Sequence, residues 1–143
     1  MDSVLKQNKQ VLTLSAEKNS PVIVRRFLEE VMEESGFSGH KYSGLEVSVT
    51  EHIENLIRHA YKGKSGEITV VAEIKYPEAK ITINDKGPAF NMKKKKLPNL
   101  PGRIKKGLGG KMGIKTILSM CDTVKYRRVK GANENVFIIR ESA

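Results

Sequence analysis

The stretch EITVVAEIKYPEAKITIND, residues 67–85, decides the fold because it predicts two adjacent strands with no helix between them. EITVVAEIKY and AKITIND are rich in β-branched residues, and apolar and polar side chains alternate along both segments. The dipeptide Pro77-Glu78 between them predicts a tight turn. Strands joined by a short turn pair antiparallel, so the sequence indicates a largely antiparallel sheet.

Two helices are predicted on the N-terminal side of this hairpin, after a strand at residues 10–15 whose apolar and polar residues alternate. Ser20-Pro21 predicts the N-cap and the first residue of a helix over 21–35, with Gly36 as its stop. The second helix is predicted to start near Ser43, which begins a capping-box pattern. Its apolar stripe consists of Leu45, Val49, Ile53, Leu56 and Ala60.

On the C-terminal side, a third helix is predicted to begin near Met112, because four apolar residues from Ile114 to Cys121 recur at helical spacing. TVKYRRV and NVFIIR then predict a closing hairpin around Gly131-Ala132-Asn133. The order β-α-α-β-β-loop-α-β-β predicts an α+β fold, with helices on one face of a largely antiparallel sheet.

The length and composition indicate a single domain over residues 1–143, because a chain of 143 residues buries one core without crosslinks. Its lone cysteine, Cys121, excludes an internal disulfide and fits a reducing compartment. The N-terminus, MDSVLKQNKQ, lacks the apolar core of a signal peptide, and no apolar run is long enough for a membrane span. We therefore expect a cytoplasmic protein without a membrane partner.

Positive charge is concentrated in one segment of the chain. The net charge of +10 comes from 26 Lys and Arg against 16 Asp and Glu. Residues 86–111 hold nine of the basic residues and none of the acidic ones, so 17 basic and 16 acidic residues remain elsewhere. The segment contains one aromatic residue, Phe90, and so lacks a platform on which bases could stack. Nucleic-acid binding is therefore disfavoured as the function.

The segment EHIENLIRHAY, residues 51–61, places Glu51 and Asn55 one turn apart on the second helix, with Arg58 and His59 on the next turn. These side chains point away from the apolar stripe. Two interpretations are open: a solvated helix face, or a carboxylate and an amide that project into a cleft. In a cleft, the carboxylate suits a general base and the amide oxygen suits a hard-cation ligand.

Asp85 ends the second strand of the hairpin on the face of Ile81 and Ile83, because side chains alternate with period two. A carboxylate on the core side of a strand needs hydrogen-bond donors. Gly87, two residues later, permits the close approach of a ligand to the backbone. Asp85 is therefore either a turn former or an acceptor for the exocyclic amine of a ligand.

The glycine-rich segment GLGGKMG, residues 107–113, leads into the third helix. Glycines at a helix N-terminus expose backbone N–H groups, and the helix dipole favours an anion there. The segment is not a Walker A loop, because no Ser or Thr follows Lys111, and Met112 breaks a GxGxxG pattern. A phosphate cradle and a plain flexible linker both fit this segment.

The order of these motifs resembles that of the Bergerat-fold (GHKL) ATPases, which include gyrase and the histidine kinases. EHIENLIRHAY is similar to their N box, DKGPAF to their G1 box and GLGGKMG to their G2 box. The short chain most resembles the bacterial anti-sigma-factor serine/threonine kinases, over residues 8–141. This resemblance implies a two-layer α/β sandwich with a mostly antiparallel, mixed sheet and a long ATP lid over about residues 88–110.

The resemblance also implies a role for each motif residue. Asn55 would coordinate a Mg²⁺ ion that bridges the ATP phosphates, and Glu51 would accept the proton of an attacking serine or threonine hydroxyl. Asp85 would accept a hydrogen bond from the adenine amino group. Further nucleotide contacts are implied for Arg58, His59, Gly87, Phe90, Gly107, Leu108, Gly109, Gly110, Lys111, Met112 and Gly113.

The function implied by the resemblance is that of an ATP- and Mg²⁺-dependent kinase. Such a kinase phosphorylates a STAS-domain anti-anti-sigma protein, sequesters a sigma factor and forms a homodimer. Two residues depart from the family pattern, since Ala89 replaces a G1-box glycine and Lys111 replaces a G2-box glycine. The alternative is therefore a nucleotide-binding interaction module without kinase activity. We expect the basic lid to close over ATP phosphates or to meet an acidic partner.

Overall fold

A computed structural model describes residues 9–91 and 117–141. Its five strands are β1 (Lys9–Ser15), β2 (Glu67–Lys75), β3 (Glu78–Asp85), β4 (Thr123–Val129) and β5 (Ala132–Arg140). They form one sheet in the order β1-β2-β3-β5-β4, and every pairing among these described strands is antiparallel. The predicted α+β class is confirmed, whereas the mixed pairing implied by the resemblance is not found in this part of the chain.

The predicted hairpin of residues 67–85 is confirmed with a small shift of its turn. Lys75 pairs with Glu78, so the turn residues are Tyr76 and Pro77, one residue earlier than predicted. Along β3, every second side chain is buried, ending with Asp85. The alternation therefore carries this carboxylate to the helix-covered face, as the period-two pattern predicted.

The closing hairpin turns at Lys130-Gly131, earlier than the predicted Gly131-Ala132-Asn133. Val129 pairs with Ala132, and the two turn residues both have positive φ, 50° at Lys130 and 79° at Gly131. This is the backbone of a type I′ turn, whose twist matches that of the strands it joins. Asn133 consequently belongs to β5, and its side chain is buried there.

The first helix, α1, spans Ser20–Met32 with Pro21 in its first turn. Ser20 was predicted as the N-cap, but its hydroxyl accepts a hydrogen bond from the Glu17 amide at 2.8 Å and donates one to the Ser15 carbonyl at 3.0 Å. It therefore braces the loop from β1 instead of capping the helix. The helix also ends before the predicted residue 35, because Glu33 already leaves the helical conformation with a ψ of 130°.

The second helix, α2, spans Gly39–Asn55 and continues as a π-helical turn over Leu56–Ala60. The predicted start at Ser43 is wrong, because Ser38 is the N-cap and its hydroxyl accepts from the Lys41 amide at 3.2 Å. Four members of the predicted apolar stripe are buried, namely Leu45, Val49, Ile53 and Leu56, and Ala60 is half-buried.

Part of the predicted third helix is described, with helical residues at 117–120. Ile117 is fully buried there, and the predicted start near Met112 lies outside the described residues. This segment packs closely on α2, because a Cβ at Gly44 would lie 2.9 Å from the backbone oxygen of Met120. Within the described ranges, no helix is long and apolar enough to cross a bilayer.

The core lies between the helices and one face of the sheet. α1 contacts β1 and β2, and α2 contacts β5, which fixes the α2 axis over the sheet. One buried imidazole, His52, enters this core from α2, and its ring lies 5.3 Å from that of Phe137 on β5. Burial lowers the pKa of His52 to about 4, so the side chain is neutral at physiological pH.

The first prediction concerns the contact between Gly44 and the Met120 backbone. Gly44→Ala is expected to destabilise the fold by about 1–3 kcal/mol, because the new methyl group meets a backbone oxygen that cannot rotate away. Gly39→Ala, in the same helix with open space around its Cβ, is the matched control and is expected to stabilise by up to about 1 kcal/mol. Urea denaturation of both variants measures the difference, and equal effects would contradict the close approach.

The second prediction concerns pH. The pKa of His52 falls from 6.5 in the unfolded chain to about 4 in the fold. The unfolded state therefore binds an extra proton between these values, and the free energy of unfolding falls as pH falls through that window, by about 3 kcal/mol in total.

Denaturation at a series of pH values should show this loss in the wild type and a shallower dependence in His52→Leu. His40→Gln, at an exposed position of the same helix, controls for the loss of an imidazole. Parallel curves for wild type and His52→Leu would show that His52 is not buried neutral.

Candidate functional site

Asp85 lies at the end of β3 with only 1% of its surface exposed. Its Oδ2 atom accepts hydrogen bonds from the Gly87 amide at 2.9 Å and from Nδ2 of Asn133 at 3.1 Å. Its Oδ1 atom is buried and has no hydrogen-bond partner among the described residues. The carboxylate therefore has one satisfied oxygen and one free acceptor.

The pKa of Asp85 reflects two opposing influences. Burial raises it above the ordinary value, while the hydrogen bonds from Asn133 and Gly87 and the positive charge of Arg128 lower it. Burial prevails, so the pKa is raised overall. The donors around Oδ2 are thus the groups that favour the ionised, hydrogen-bond-accepting form.

Gly87 is buried where the chain leaves β3. A Cβ at this position would lie 3.0 Å from Oδ2 of Asp85 and 3.1 Å from the Cβ atom of Ala60. Both contacts are tighter than ordinary van der Waals contacts, so a side chain here would push the loop away from the carboxylate or from the end of α2. The loop after β3 and the π-helical turn after α2 therefore meet at Gly87.

Tyr61 fastens the same junction from the helix side. Its hydroxyl donates to the Glu67 carbonyl at 2.8 Å and accepts from the Lys86 amide at 2.9 Å. The Tyr61 amide itself donates to the Leu56 carbonyl at 2.8 Å, which closes the π-helical turn. Burial raises the pKa of the phenol, so it stays protonated and able to donate. π-Helical turns of this kind are common at functional sites.

Glu51 and Asn55 lie on consecutive turns of α2, just before this junction. Both side chains are half-buried, and the Oδ1 atom of Asn55 is buried without a hydrogen-bond partner in the described structure. Residues four apart on a helix are neighbours on one face. The carboxylate and the amide therefore stand side by side at the end of α2 that approaches Gly87.

Arg58 and His59 are exposed on the π-helical turn. Nη2 of Arg58 lies 3.9 Å from Oε1 of Glu54, and both residues line a cavity of about 400 Å³ together with Lys18. Asp85 and Gly87 do not line this cavity. Arg58 thus lies beside Glu54 and Lys18, and its contact with the nucleotide stays a prediction.

Asn133 is the site residue that the sequence did not reveal. Its Oδ1 atom accepts from the backbone amide of Phe90 at 3.4 Å, while the Phe90 side chain is 42% exposed beside it. Asn133 looked like part of a Gly-Ala-Asn turn, whereas the period-two pattern of Asn133, Asn135 and Phe137 would have marked all three as inward-facing.

Four buried side-chain atoms have no hydrogen-bond partner within residues 9–91 and 117–141, and all lie on α2 or on the neighbouring ends of β3 and β5. They are His52 Nε2, Asn55 Oδ1, Asp85 Oδ1 and Asn135 Oδ1. Buried polar atoms are normally satisfied, so each of these atoms needs an explanation, and for Asn55 and Asp85 a bound ligand provides one.

The two free oxygens, on Asp85 and Asn55, fit a nucleotide with a magnesium ion. The free Asp85 oxygen suits the exocyclic amine of adenine, and the free Asn55 oxygen suits a hard cation. The described residues contain no cluster of three His, Cys, Asp or Glu side chains. A hard cation at Asn55 would thus take most of its ligands from phosphate oxygens and water, as Mg²⁺ commonly does. The predicted phosphate contacts, from Gly107 to Gly113, lie outside the described residues.

Comparison with known protein families agrees with this geometry. Residues 14–140 match the model of the histidine kinase-like ATPase domain. The matched range includes α2, the end of β3 and the closing hairpin, and therefore all of the site described above.

Proteins named serine-protein kinase RsbW are similar in sequence. The RsbW of Listeria innocua is 29% identical over 132 residues, which cover 88% of this chain and 83% of the relative. The RsbW of Oceanobacillus iheyensis is 32% identical over 114 residues, which cover 76% of this chain and 72% of the relative.

A solved structure shares the fold. The crystal structure of the RsbU and RsbW domains of Rv1364c from Mycobacterium tuberculosis is similar with a TM-score of 0.61 and 18% identity, over 92% of this chain. The similar region is 32% of that longer chain. By its family match and its relatives, the chain belongs to the histidine kinase-like ATPases, in the GHKL group of anti-sigma kinases.

Proposed function

We propose that this chain is an ATP- and Mg²⁺-dependent serine/threonine protein kinase and anti-sigma factor. Its substrate is a STAS-domain anti-anti-sigma protein, and phosphorylation of that protein controls which partner the chain sequesters. The observation that carries the proposal is the pair of free buried acceptors, Oδ1 of Asp85 and Oδ1 of Asn55, on two elements that meet at Gly87. The serine-protein kinases named RsbW supply the reaction class.

Asp85 and Asn55 divide the binding of the nucleotide between them. The free oxygen of Asp85 accepts a hydrogen bond from the adenine amine, and Gly87 lets the loop after β3 pack closely against Asp85 and Ala60. Asn55 would hold a magnesium ion through its amide oxygen. Bound ATP supplies the phosphoryl group, and the ion neutralises charge on the phosphates.

Glu51 is the residue that handles the proton. It stands one helical turn before Asn55, so an acceptor hydroxyl that reaches the phosphates from the solvent side meets its carboxylate. A carboxylate oxygen of Glu51 would accept the hydroxyl proton as the hydroxyl oxygen bonds to the γ-phosphorus of ATP, while the bond from that phosphorus to the bridging oxygen breaks and ADP leaves. Most of the rate enhancement comes from positioning and charge neutralisation, because phosphoryl transfer requires little covalent chemistry from the protein.

A second candidate is a nucleotide-binding interaction module without kinase activity. Lys111 favours this candidate, because a side chain replaces a glycine in the segment similar to the G2 box. Calorimetric titration with Mg-ATP and a radiolabel transfer assay separate the two functions. Binding without transfer to any STAS-domain protein supports the module.

The third prediction tests the base. Glu51→Gln keeps the side-chain volume but removes the proton acceptor, so phosphoryl transfer to a co-purifying STAS-domain protein is expected to fall at least about 100-fold. The affinity for Mg-ATP should change by less than about 3-fold, because the base touches the reacting hydroxyl and not the nucleotide.

Glu54→Gln is the matched control for this experiment, since Glu54 is equally half-buried on α2 but faces Arg58. Its transfer rate should stay close to that of the wild type. Equal losses in the two variants would contradict the role of Glu51 as the base.

The fourth prediction tests the adenine contact. Asp85→Asn brings an amide group against the donors Gly87 N–H and Asn133 Nδ2, so the side chain can no longer satisfy them and present a charged acceptor at once. ATP affinity is expected to fall about 10- to 100-fold, the effect of losing a hydrogen bond to a charged group. Asn84→Ala, on the opposite face of the same strand, should leave the calorimetric affinity unchanged.

A further inference from the structure

Asn133 is buried, with 3% of its surface exposed, and both the nitrogen and the oxygen of its side-chain amide make hydrogen bonds. Its Nδ2 atom faces three acceptors: Oδ2 of Asp85 at 3.1 Å, the Gly87 carbonyl at 3.3 Å and the Pro88 carbonyl at 2.8 Å. Its Oδ1 atom faces three donors: the Tyr126 hydroxyl at 2.6 Å, Nη1 of Arg128 at 3.1 Å and the Phe90 amide at 3.4 Å.

This arrangement fixes which way the amide points. A flipped amide would set its nitrogen against three donors and its oxygen against a carboxylate and two carbonyls. No other side chain of this size offers two donor hydrogens on one atom and an acceptor on the next. The surroundings of residue 133 therefore require asparagine.

The contacts of Asn133 also determine which oxygen of Asp85 stays available. Together with the Gly87 amide, Nδ2 occupies Oδ2 and prevents the carboxylate from rotating. Oδ1 is left as the single free acceptor of that group within the described structure. The same Nδ2 atom donates its second hydrogen to the Pro88 carbonyl at 2.8 Å, with the Gly87 carbonyl also within 3.3 Å, so the chain beyond β3 is fixed with respect to the carboxylate.

Strand β4 supplies the support behind Asn133. Tyr126 and Arg128 both donate to its Oδ1 atom, and Nη1 of Arg128 also donates to the Gly87 carbonyl at 2.8 Å. The neighbouring Arg127 pairs with Glu134 instead. Both strands of the closing hairpin thus bind the loop after β3, β4 through Arg128 and β5 through Asn133.

We propose that Asn133 is a positioning residue that makes the site select a 6-amino over a 6-oxo purine nucleotide. A carboxylate held with Oδ1 towards the base accepts from an amine and repels a carbonyl oxygen. A carboxylate that can rotate loses part of the attraction for the amine and escapes the repulsion from the carbonyl. This proposal rests on the proposed nucleotide-binding function and names a residue, outside the recognised motifs, that sets its specificity.

The experiment compares wild type, Asn133→Ala and Asn133→Ser by two measurements. Calorimetry in the presence of Mg²⁺ gives the affinities for ATP and for ITP, which carries an oxygen where ATP carries the amine. NMR hydrogen exchange, in the protein without nucleotide, follows the Gly87 amide. Urea denaturation of each variant establishes that it is folded.

We expect the wild type to prefer ATP over ITP by about 10-fold or more, and Asn133→Ala to reduce this preference to about 3-fold or less. Gly87 exchange should accelerate about 10-fold or more in Asn133→Ala, because the carboxylate that accepts from this amide is released. Asn133→Ser retains a hydroxyl donor and should restore part of both effects. For the exchange measurement, Asn135→Ala is the control, since Asn135 is equally buried on the same face of β5 but is not bonded to this loop.

The outcomes separate the two claims. A wild type that binds neither nucleotide overturns the proposed function, while faster Gly87 exchange in Asn133→Ala still supports the hold of Asn133 on Asp85. A wild type that prefers ATP, with the same preference in a folded Asn133→Ala, overturns the selectivity role. If Asn133→Ala does not fold, Arg128→Gln takes its place, with Arg127→Gln as its matched control. The same two measurements then decide, since Arg128 donates to Asn133 and to the Gly87 carbonyl whereas Arg127 pairs with Glu134.

Discussion

The buried carboxylate of Asp85 is the constraint on which the surrounding structure depends. A charge that is 1% exposed must be compensated by donors, or the group takes up a proton and ceases to be an anion. The chain meets this requirement with the Gly87 amide from the next turn and with Asn133 from the neighbouring strand. The tight path of residues 85–88, the absence of a side chain at residue 87 and the burial of an asparagine in β5 all follow from that requirement.

On the helix side of the site, the end of α2 is likewise fixed by hydrogen bonds and carries a buried polar atom. Tyr61 ends the π-helical turn and clamps the Lys86 amide, so the end of α2 cannot move away from the exit of β3. Asn55 lies just before this turn with an oxygen that is buried and unpartnered in the described structure. An unsatisfied buried acceptor costs about 1–3 kcal/mol. The unpartnered oxygens of Asp85 and Asn55 therefore reduce the stability of the fold at the places where a nucleotide would bring a donor and a cation.

The sequence predicted the larger features because they depend on local patterns. The alternation in residues 67–85 determined the face of Asp85, and the helical spacing after Leu45 determined the buried side of α2. The predicted start of α2 was wrong because Ser43 begins a capping-box pattern in the sequence, whereas in the folded chain the residue that caps the helix is Ser38. Asn133 was missed because its role depends on Asp85, a partner 48 residues away, which no local pattern contains.

The sheet also has a consequence for how the chain folds. It contains two local hairpins, β2–β3 and β4–β5, each closed by a two-residue turn, and the pairing of β3 with β5 joins them across a long stretch of chain. Loop-closure entropy favours the local hairpins first and the long-range seam later. Asp85 lies on one side of this seam and Asn133 on the other. The residues proposed to recognise the base therefore come together only when the seam closes, and a ligand that binds only the closed seam stabilises the sheet by mass action.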